Sequence, residues 1–434
     1  MLRIRWTDPA EDPEALHGWR EPSLILATLF LNFFFWYAPA YGFSFNTSFA
    51  VTFGSLVALV VLAMMLFLVP ALAAQEARRT LFEIVEVSFG TVAGFGFRLA
   101  CGALCVFWVA GMTGALGFRF SMAVLNREFS LAQSGPWLAV LVLFVFATGQ
   151  QGLRASAKLA SFTNKLGIAL LIAAALRVRG NLTLSWSDPQ NLSLIVRDVW
   201  GRIAEPLVIV GPMALLAADF GARARTRKDV ALIGVMGLAV PMVLTLFAVG
   251  LIQNAAHGLL LGNTNIQNIA VALWGGDSRR YLFAWMLVAV VTSFGTARFA
   301  VRTGTAAVSP VVKGRYTRLA VVGLALLGCV VLSLGEIPLN DALDLTAVFA
   351  ASAAAVVSAD YLTRKWRHQE IARVDCIGLI SFLGGWAVNG GLAFWYGPFY
   401  EVRLTGSILI SYGVSFALCI AGRTVVRKAQ AWGA

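Results

Sequence analysis

The sequence predicts an all-α polytopic membrane protein with about twelve transmembrane helices, and three observations predict it. Hydrophobic residues fill 59% of the 434 positions and charged residues only 13%, with a mean hydropathy of +0.77. Apolar runs of about 20 residues, the length that crosses a hydrocarbon core, follow one another along the chain. Basic residues gather in every second gap between those runs.

In chain order, residues 1–21 are polar and show no small-residue cleavage site, so they read as a cytoplasmic tail rather than a signal peptide. The first span, near 22–44, contains LNFFFWYAPAYGFSF, where Pro39 removes a backbone donor and Gly42 permits unusual dihedrals. A second span near 48–73 leads into 75–92 (QEARRTLFEIVEVSFGTV), which reads as a cytoplasmic amphipathic connector. Spans follow near 93–125, 135–152, 155–177 and 198–221. The sixth carries Gly211-Pro212 in its middle. The rest lie near 229–255, 280–308, 316–334, 339–361, 374–397 and 404–424, with 425–434 as a cytoplasmic tail.

Broken helices in lipid need their freed backbone groups satisfied by a cavity, an ion or a substrate. Breaks at matching positions of two halves point to a transporter's central site, and spans one and six match in a five-plus-five arrangement. The alternative is a packing kink at each.

The net charge of +12 would suggest nucleic acid in a soluble protein. Here topology explains it. With the N-terminus inside, the inner loops hold Arg78/Arg79, Arg154/Lys158, Arg223/Arg225/Arg227/Lys228, Lys313/Arg315/Arg318, Arg364/Lys365/Arg367/Arg373 and Arg423/Arg427/Lys428. That bias puts both termini in the cytoplasm and the chain in an inner or plasma membrane. The five cysteines (101, 105, 329, 376, 419) lie in apolar segments and read as buried free thiols. Three scattered histidines, with no H-E-x-x-H or G-x-S-x-G pattern, argue against an enzyme. No repeated filter-like loop suggests a channel.

Three segments resemble the nucleobase:cation symporter family 1, the group containing cytosine permease. Ala218-Asp219-Phe220 followed by Arg223, Arg225 and Arg227 resembles the motif closing that family's sixth span. Ser358-Ala359-Asp360-Tyr361-Leu362 followed by Arg364, Lys365 and Arg367 resembles the one closing its tenth. Val291-Thr292-Ser293 stands in the place of its span-eight hydroxyl pair, and 80–90 (TLFEIVEVSFG) resembles the loop before span three. The resemblance implies a leucine-transporter-like fold. Two inverted five-helix repeats, about 22–177 and 198–361, would be joined by two extra helices at about 374–424. It also implies a symporter working by alternating access on a nucleobase or related heterocycle of the cytosine, purine, hydantoin or hydroxymethylpyrimidine type. Sodium or a proton would be the coupling ion, with no other cofactor, no nucleic acid and no obligate protein partner. The partners are then a small-molecule substrate and the lipid bilayer.

The chain departs from that family at Ala222, where an arginine is usual, and at Cys105, where a polar residue is usual. Phe294-Gly295-Thr296 replaces an amide-bearing stretch, and 350–356 is alanine-rich where paired prolines or glycines are usual. A site reading a nucleobase edge needs amide donors and acceptors, because a buried polar edge must be paired. An amino acid, an amine or another small solute on the same fold is therefore the alternative cargo.

The resemblance makes Trp108 the ring that stacks on a flat heterocycle; a packed tryptophan is the other reading. Cys105, Asn32, Tyr37, Gly211, Pro212, Phe294 and Thr296 complete the candidate substrate site. Ala289, Thr292 and Ser293 lie at i, i+3 and i+4 on one helix face, where two hydroxyls and carbonyls suit sodium. The other reading is hydroxyls bonded to their own helix. Arg298 sits deep enough to need a partner, either Asp219, Asp360 or an anionic substrate. With Glu205 at the outer start of span six, these acids form the candidate gates or ion pairs.

Overall fold

Apolar runs in hydrocarbon become helices because each backbone group must be satisfied within its own segment. The computed structural model describes residues 16–31, 49–104, 153–179, 199, 203, 207, 210, 211, 213, 214, 216–257, 303–307, 309, 323, 339–364, 372–395 and 400–432. Among them α1 spans Arg20–Ala27, α2 Phe49–Ala77, α3 Leu81–Phe89 and α4 Thr91–Leu104. Next come α5 (Leu153–Val178) and α6 (Arg227–Ile233), which runs through a π-helical segment, Gly234–Ala239, into α7 (Val240–His257). The last three are α8 (Leu339–Thr363), α9 (Cys376–Trp395) and α10 (Tyr400–Trp432). Five described stretches are long and apolar enough to cross a membrane: Val51–Ala77, Ser156–Arg177, Arg227–Ile252, Thr346–Thr363 and Ile408–Gln430.

Most helix contacts fall within two packed groups, which meet where α2 packs on α8. In one, α1 lies against α5, α6 and the π segment, and α2 packs on the α6–α7 rod. Gly237 in the π segment permits this approach, since a Cβ there would stand 2.9 Å from Ser23 Cα of α1. In the other group α8, α9 and α10 pack on one another. Small side chains let membrane helices approach closely, and the alanine-rich stretch of α8 is buried at Ala350, Ala351, Ala353, Ala354 and Ala355. That stretch is regular α-helix, as its lack of proline and glycine allows. On α2 the exposed Phe53, Val57, Val61 and Met65 repeat every fourth residue, an apolar stripe for lipid.

The 75–92 connector keeps the expected amphipathic pattern, with Glu83 and Glu86 on one face, in a more enclosed setting. It is a bend followed by an enclosed helix. α2 ends in a Schellman turn: Arg78 takes the left-handed conformation (φ 55°) and Arg79 N–H donates to Ala74 O at 3.3 Å. A non-glycine residue there costs about 1–2 kcal/mol. The Arg78 guanidinium offsets this by donating to the carbonyls of Ala222, Ala224 and Arg225. Then α3 buries Leu81, Phe82, Ile84, Val85, Val87, Ser88 and Phe89, leaving little free polar face.

Between α3 and α4, Gly90 has φ 86°, and a Cβ there would lie 2.7 Å from Val374 Cα and 2.8 Å from Asp375 N. Gly90→Ala is therefore expected to cost at least about 1–2 kcal/mol from the left-handed backbone alone, with the clash added. The melting temperature of the purified variant checks this. Cys101 and Cys419 are buried as expected, but Cys376 is exposed, because it begins α9 where the chain leaves the connecting turn.

Candidate functional site

Of the residues expected to bind or gate, the described set contains Gly211, Asp219 and Asp360. Asn32, Tyr37, Cys105, Trp108, Glu205, Pro212, Ala289, Thr292, Ser293, Phe294, Thr296 and Arg298 lie outside the described residues. Val210, Gly211, Met213 and Ala214 are helical on either side of Pro212. Gly211 serves a close approach: a Cβ on it would stand 3.1 Å from Ala347 Cα, so the sixth span and α8 nearly touch there.

Asp219 and Asp360 sit at opposite ends of α3. Thr80 caps that helix, with its backbone N–H donating to Glu83 Oε2 at 2.6 Å and its hydroxyl at 2.9 Å. The next orphan amide, Leu81 N–H, donates to Asp219 Oδ1 of the sixth span at 3.0 Å. A carboxylate at a helix N-terminus gains from the amides and the macrodipole there. Asp219 also faces Arg223. Burial pushes that guanidinium below its ordinary value, and the Asp219 charge pulls it back up.

Past Asp219 the chain turns and is pinned from several sides. Ala224 pairs with His17 in an isolated parallel bridge, with His17 N–H on Arg223 O at 2.8 Å and Arg225 N–H on His17 O at 3.2 Å. Gln75 donates to Arg225 O at 3.5 Å, and Arg227 pairs with Glu76. A second capping box, Thr226 with Asp229, then starts α6.

At the other end, Asp360 is fully buried near the end of α8. Its Oδ1 meets Arg364 Nε at 3.0 Å and Arg423 Nε of α10 at 2.9 Å. The second nitrogens of both arginines reach Asp375 Oδ2, each at 2.8 Å. The Asp375 Oδ1 atom accepts from Gly378 N–H at 3.0 Å and so caps α9. Ser88 of α3 donates to Asp360 Oδ2 at 3.4 Å. Two carboxylates and two guanidiniums thus form a closed, charge-balanced ring joining α8, α9, α10 and α3. Such balance is what lets Asp360, Asp375 and Arg423 lie buried together, with Arg364 at the more open side.

Backbone pairing reinforces this end. Asp375 N–H donates to Phe89 O at 2.9 Å, Thr91 N–H to Ala372 O at 3.0 Å and Val92 N–H to Arg373 O at 3.0 Å. Above it, rings run Phe89–Phe97 (5.5 Å), Phe97–Phe349 (4.7 Å) and Phe349–Phe382 (5.4 Å) between centroids. Offset and edge contacts of this kind add to simple apolar burial.

Asp375 is not singled out in the sequence, and Arg423 is read there only as an inner-loop charge. Arg364 is named in the sequence as part of the basic run after Asp360, and its i, i+4 spacing from that acid suits the ion pair that the structure shows. For Asp375 and Arg423 the signal is a charge directly flanking an apolar run.

No family model matches the chain, and no curated protein matches it in sequence. Among solved structures, Mhp1, a nucleobase-cation-symport-1 family transporter in a closed conformation with bromovinylhydantoin bound, is similar with a TM-score of 0.69. It is 15% identical, over 95% of this chain and 93% of that one. The inward-facing conformation of Mhp1 gives 0.64 at 16% identity, over 96% and 94%. The substrate-bound outward-open state of a Na+-coupled sialic acid symporter gives 0.58 at 11% identity, over 98% and 93%. The fold is therefore the expected one: an all-α polytopic membrane protein of leucine-transporter-like architecture.

Proposed function

We propose that this chain is a secondary active transporter that moves a nucleobase or related small heterocycle across the cell membrane by alternating access, coupled to sodium or protons. The observation that carries this reading is the near full-length likeness to Mhp1, which was solved with a hydantoin derivative bound. The segments closing spans six and ten, 218–220 and 358–362, support it independently as sequence.

In this reading Trp108 stacks on the ligand ring. Cys105, Asn32, Tyr37, Gly211, Pro212, Phe294 and Thr296 surround it. Sodium, as co-transported cargo, is held by the Ala289 carbonyl and the Thr292 and Ser293 hydroxyls, a hard-oxygen set suited to a hard cation. Glu205 and Arg298 serve as gate or ion-pair groups. Asp219 and Asp360 hold the inner ends of spans six and ten. The repeats occupy about 22–177 and 198–361, and both tails face the cytoplasm.

The test is a thermal-shift screen of purified protein with purines, pyrimidines, hydantoins and thiamin-precursor pyrimidines, each with and without sodium. A heterocycle is expected to raise the melting temperature, and more so with sodium. Trp108→Ala should abolish the ligand shift, and Thr292→Ala/Ser293→Ala only its sodium increment. Silence across the panel, with stabilisation by an amino acid or an anion, would overturn the heterocycle reading. Arg298 is the observation that favours that second cargo class.

A further inference from the structure

The contacts at the two ends of α3 are unequal. At its C-terminal end α3 is bound to the α8–α9–α10 group by the Asp375 N–H on Phe89 O, by Ser88 on Asp360 and by the Phe89 ring edge-on to Phe382 of α9, and the start of α4 adds Thr91 and Val92 N–H on Ala372 O and Arg373 O. Gly378 of α9 closes the fit, since a Cβ on it would run into the Ser88 carbonyl. At its N-terminal end the hydrogen bond to the sixth span, among the described residues, is the Leu81 amide on Asp219. The capping box of Thr80 and Glu83 is internal to α3, so the helix keeps its own start when Asp219 lets go. The bend before it, Arg78–Arg79, belongs to the other group, through the Arg78 guanidinium on the 222–225 carbonyls.

We propose that α3 is a coupling rod between the two helix groups, permanently anchored at the Asp360–Arg364–Asp375–Arg423 ring and released or re-capped by Asp219 as the transporter changes state. This rests on the alternating-access reading above. Spans two and six also meet span ten directly, at the α2–α8 contact and at Gly211 against Ala347, and a displacement there reaches α3 at its weaker end, between Thr80 and Asp219. One hydrogen bond to a carboxylate can be exchanged for water at small net cost. Several backbone bonds and a ring in which Asp360, Asp375 and Arg423 are buried are far harder to exchange. Asp219 then acts as a positioning residue, which biases the two states without touching the cargo.

Two measurements on the full chain in lipid nanodiscs test this, and neither needs a known substrate. In hydrogen–deuterium exchange, Asp219→Asn should make the Leu81 amide exchange about tenfold faster, while Thr91, Val92 and Asp375 stay protected. Exchange at those three before Leu81 would overturn the anchor. For the second, spin labels at Lys228→Cys and Arg373→Cys, with Cys105, Cys329 and Cys376 replaced by serine, report the distance between the groups. The parent should show two populations. Asp219→Asn should change their ratio, and Glu83→Gln, which weakens only the rod's own cap, should not. A single population in the parent, or equal responses to the two substitutions, would overturn the coupling. An intact distance response beside an empty ligand screen would support the coupling and remove only the heterocycle reading.

Discussion

Asp360→Asn is expected to cost about 3–5 kcal/mol of stability, the penalty for leaving a buried charge without its partner. The side chain of Asp360 is fully enclosed, and those of Arg423 and Asp375 are 7% exposed, so little water is available to replace the lost carboxylate. Two guanidiniums would then share the single carboxylate of Asp375. Near-complete loss of monodisperse protein from detergent extracts, or a large fall in melting temperature, is the expected observation. Asp360→Asn combined with Arg423→Gln removes one charge of each sign and should recover much of the loss. The pair would then show a strong positive coupling in a double-mutant cycle. If Asp360 were instead a water-facing gate charge, the single substitution would cost no more than about 1 kcal/mol. The double variant would then add nothing.

The ring also shows where sequence reasoning stops. Hydropathy located the helices well: the run expected at 48–73 is helix Phe49–Ala77, that at 155–177 is Leu153–Val178 and that at 339–361 is Leu339–Thr363. It placed the end of the last span at 424, whereas α10 continues to Trp432. Hydropathy marks where the chain leaves hydrocarbon, while helical hydrogen bonding carries on through Arg427 and Lys428 into water. The acids Asp219 and Asp360 were legible as features because each closes an apolar run. Their partners were not, because Leu81 and Arg423 approach them only through the tertiary fold. An amide that needs a cap and an arginine near the end of a span look ordinary in sequence. The two-sided pattern of the connector was legible, whereas the partners of its acids were not. Glu83 and Glu86 gave it a polar look, yet both acids are spent locally, Glu83 on the capping box and Glu86 on Arg98 at 3.2 Å.

Gly221→Ala is the second substitution with a large expected effect, and it probes the other helix group. Gly221 follows Asp219 by half a turn, and a Cβ on it would collide with the backbone carbonyl of Ala71 in α2. A clash with the tip of a flexible side chain can be relieved by a rotamer change. A clash with backbone forces the helices apart. The separation would pull on everything pinned beside it: the Arg78 guanidinium, the strand-like pairing of His17 with Ala224 and the Asp219 cap on α3. Overpacking costs of about 1–3 kcal/mol are usual, and a backbone-limited contact belongs at the upper end. Gly54, earlier in α2, provides the control. It is exposed, nothing lies within 4 Å of a Cβ there, and Gly54→Ala should stabilise the helix by up to about 1 kcal/mol through propensity alone. Melting temperatures of the two variants should therefore move in opposite directions. Equal behaviour would mean that spans two and six do not meet at Gly221. Asp219 would then lose the close contact that holds it over Leu81.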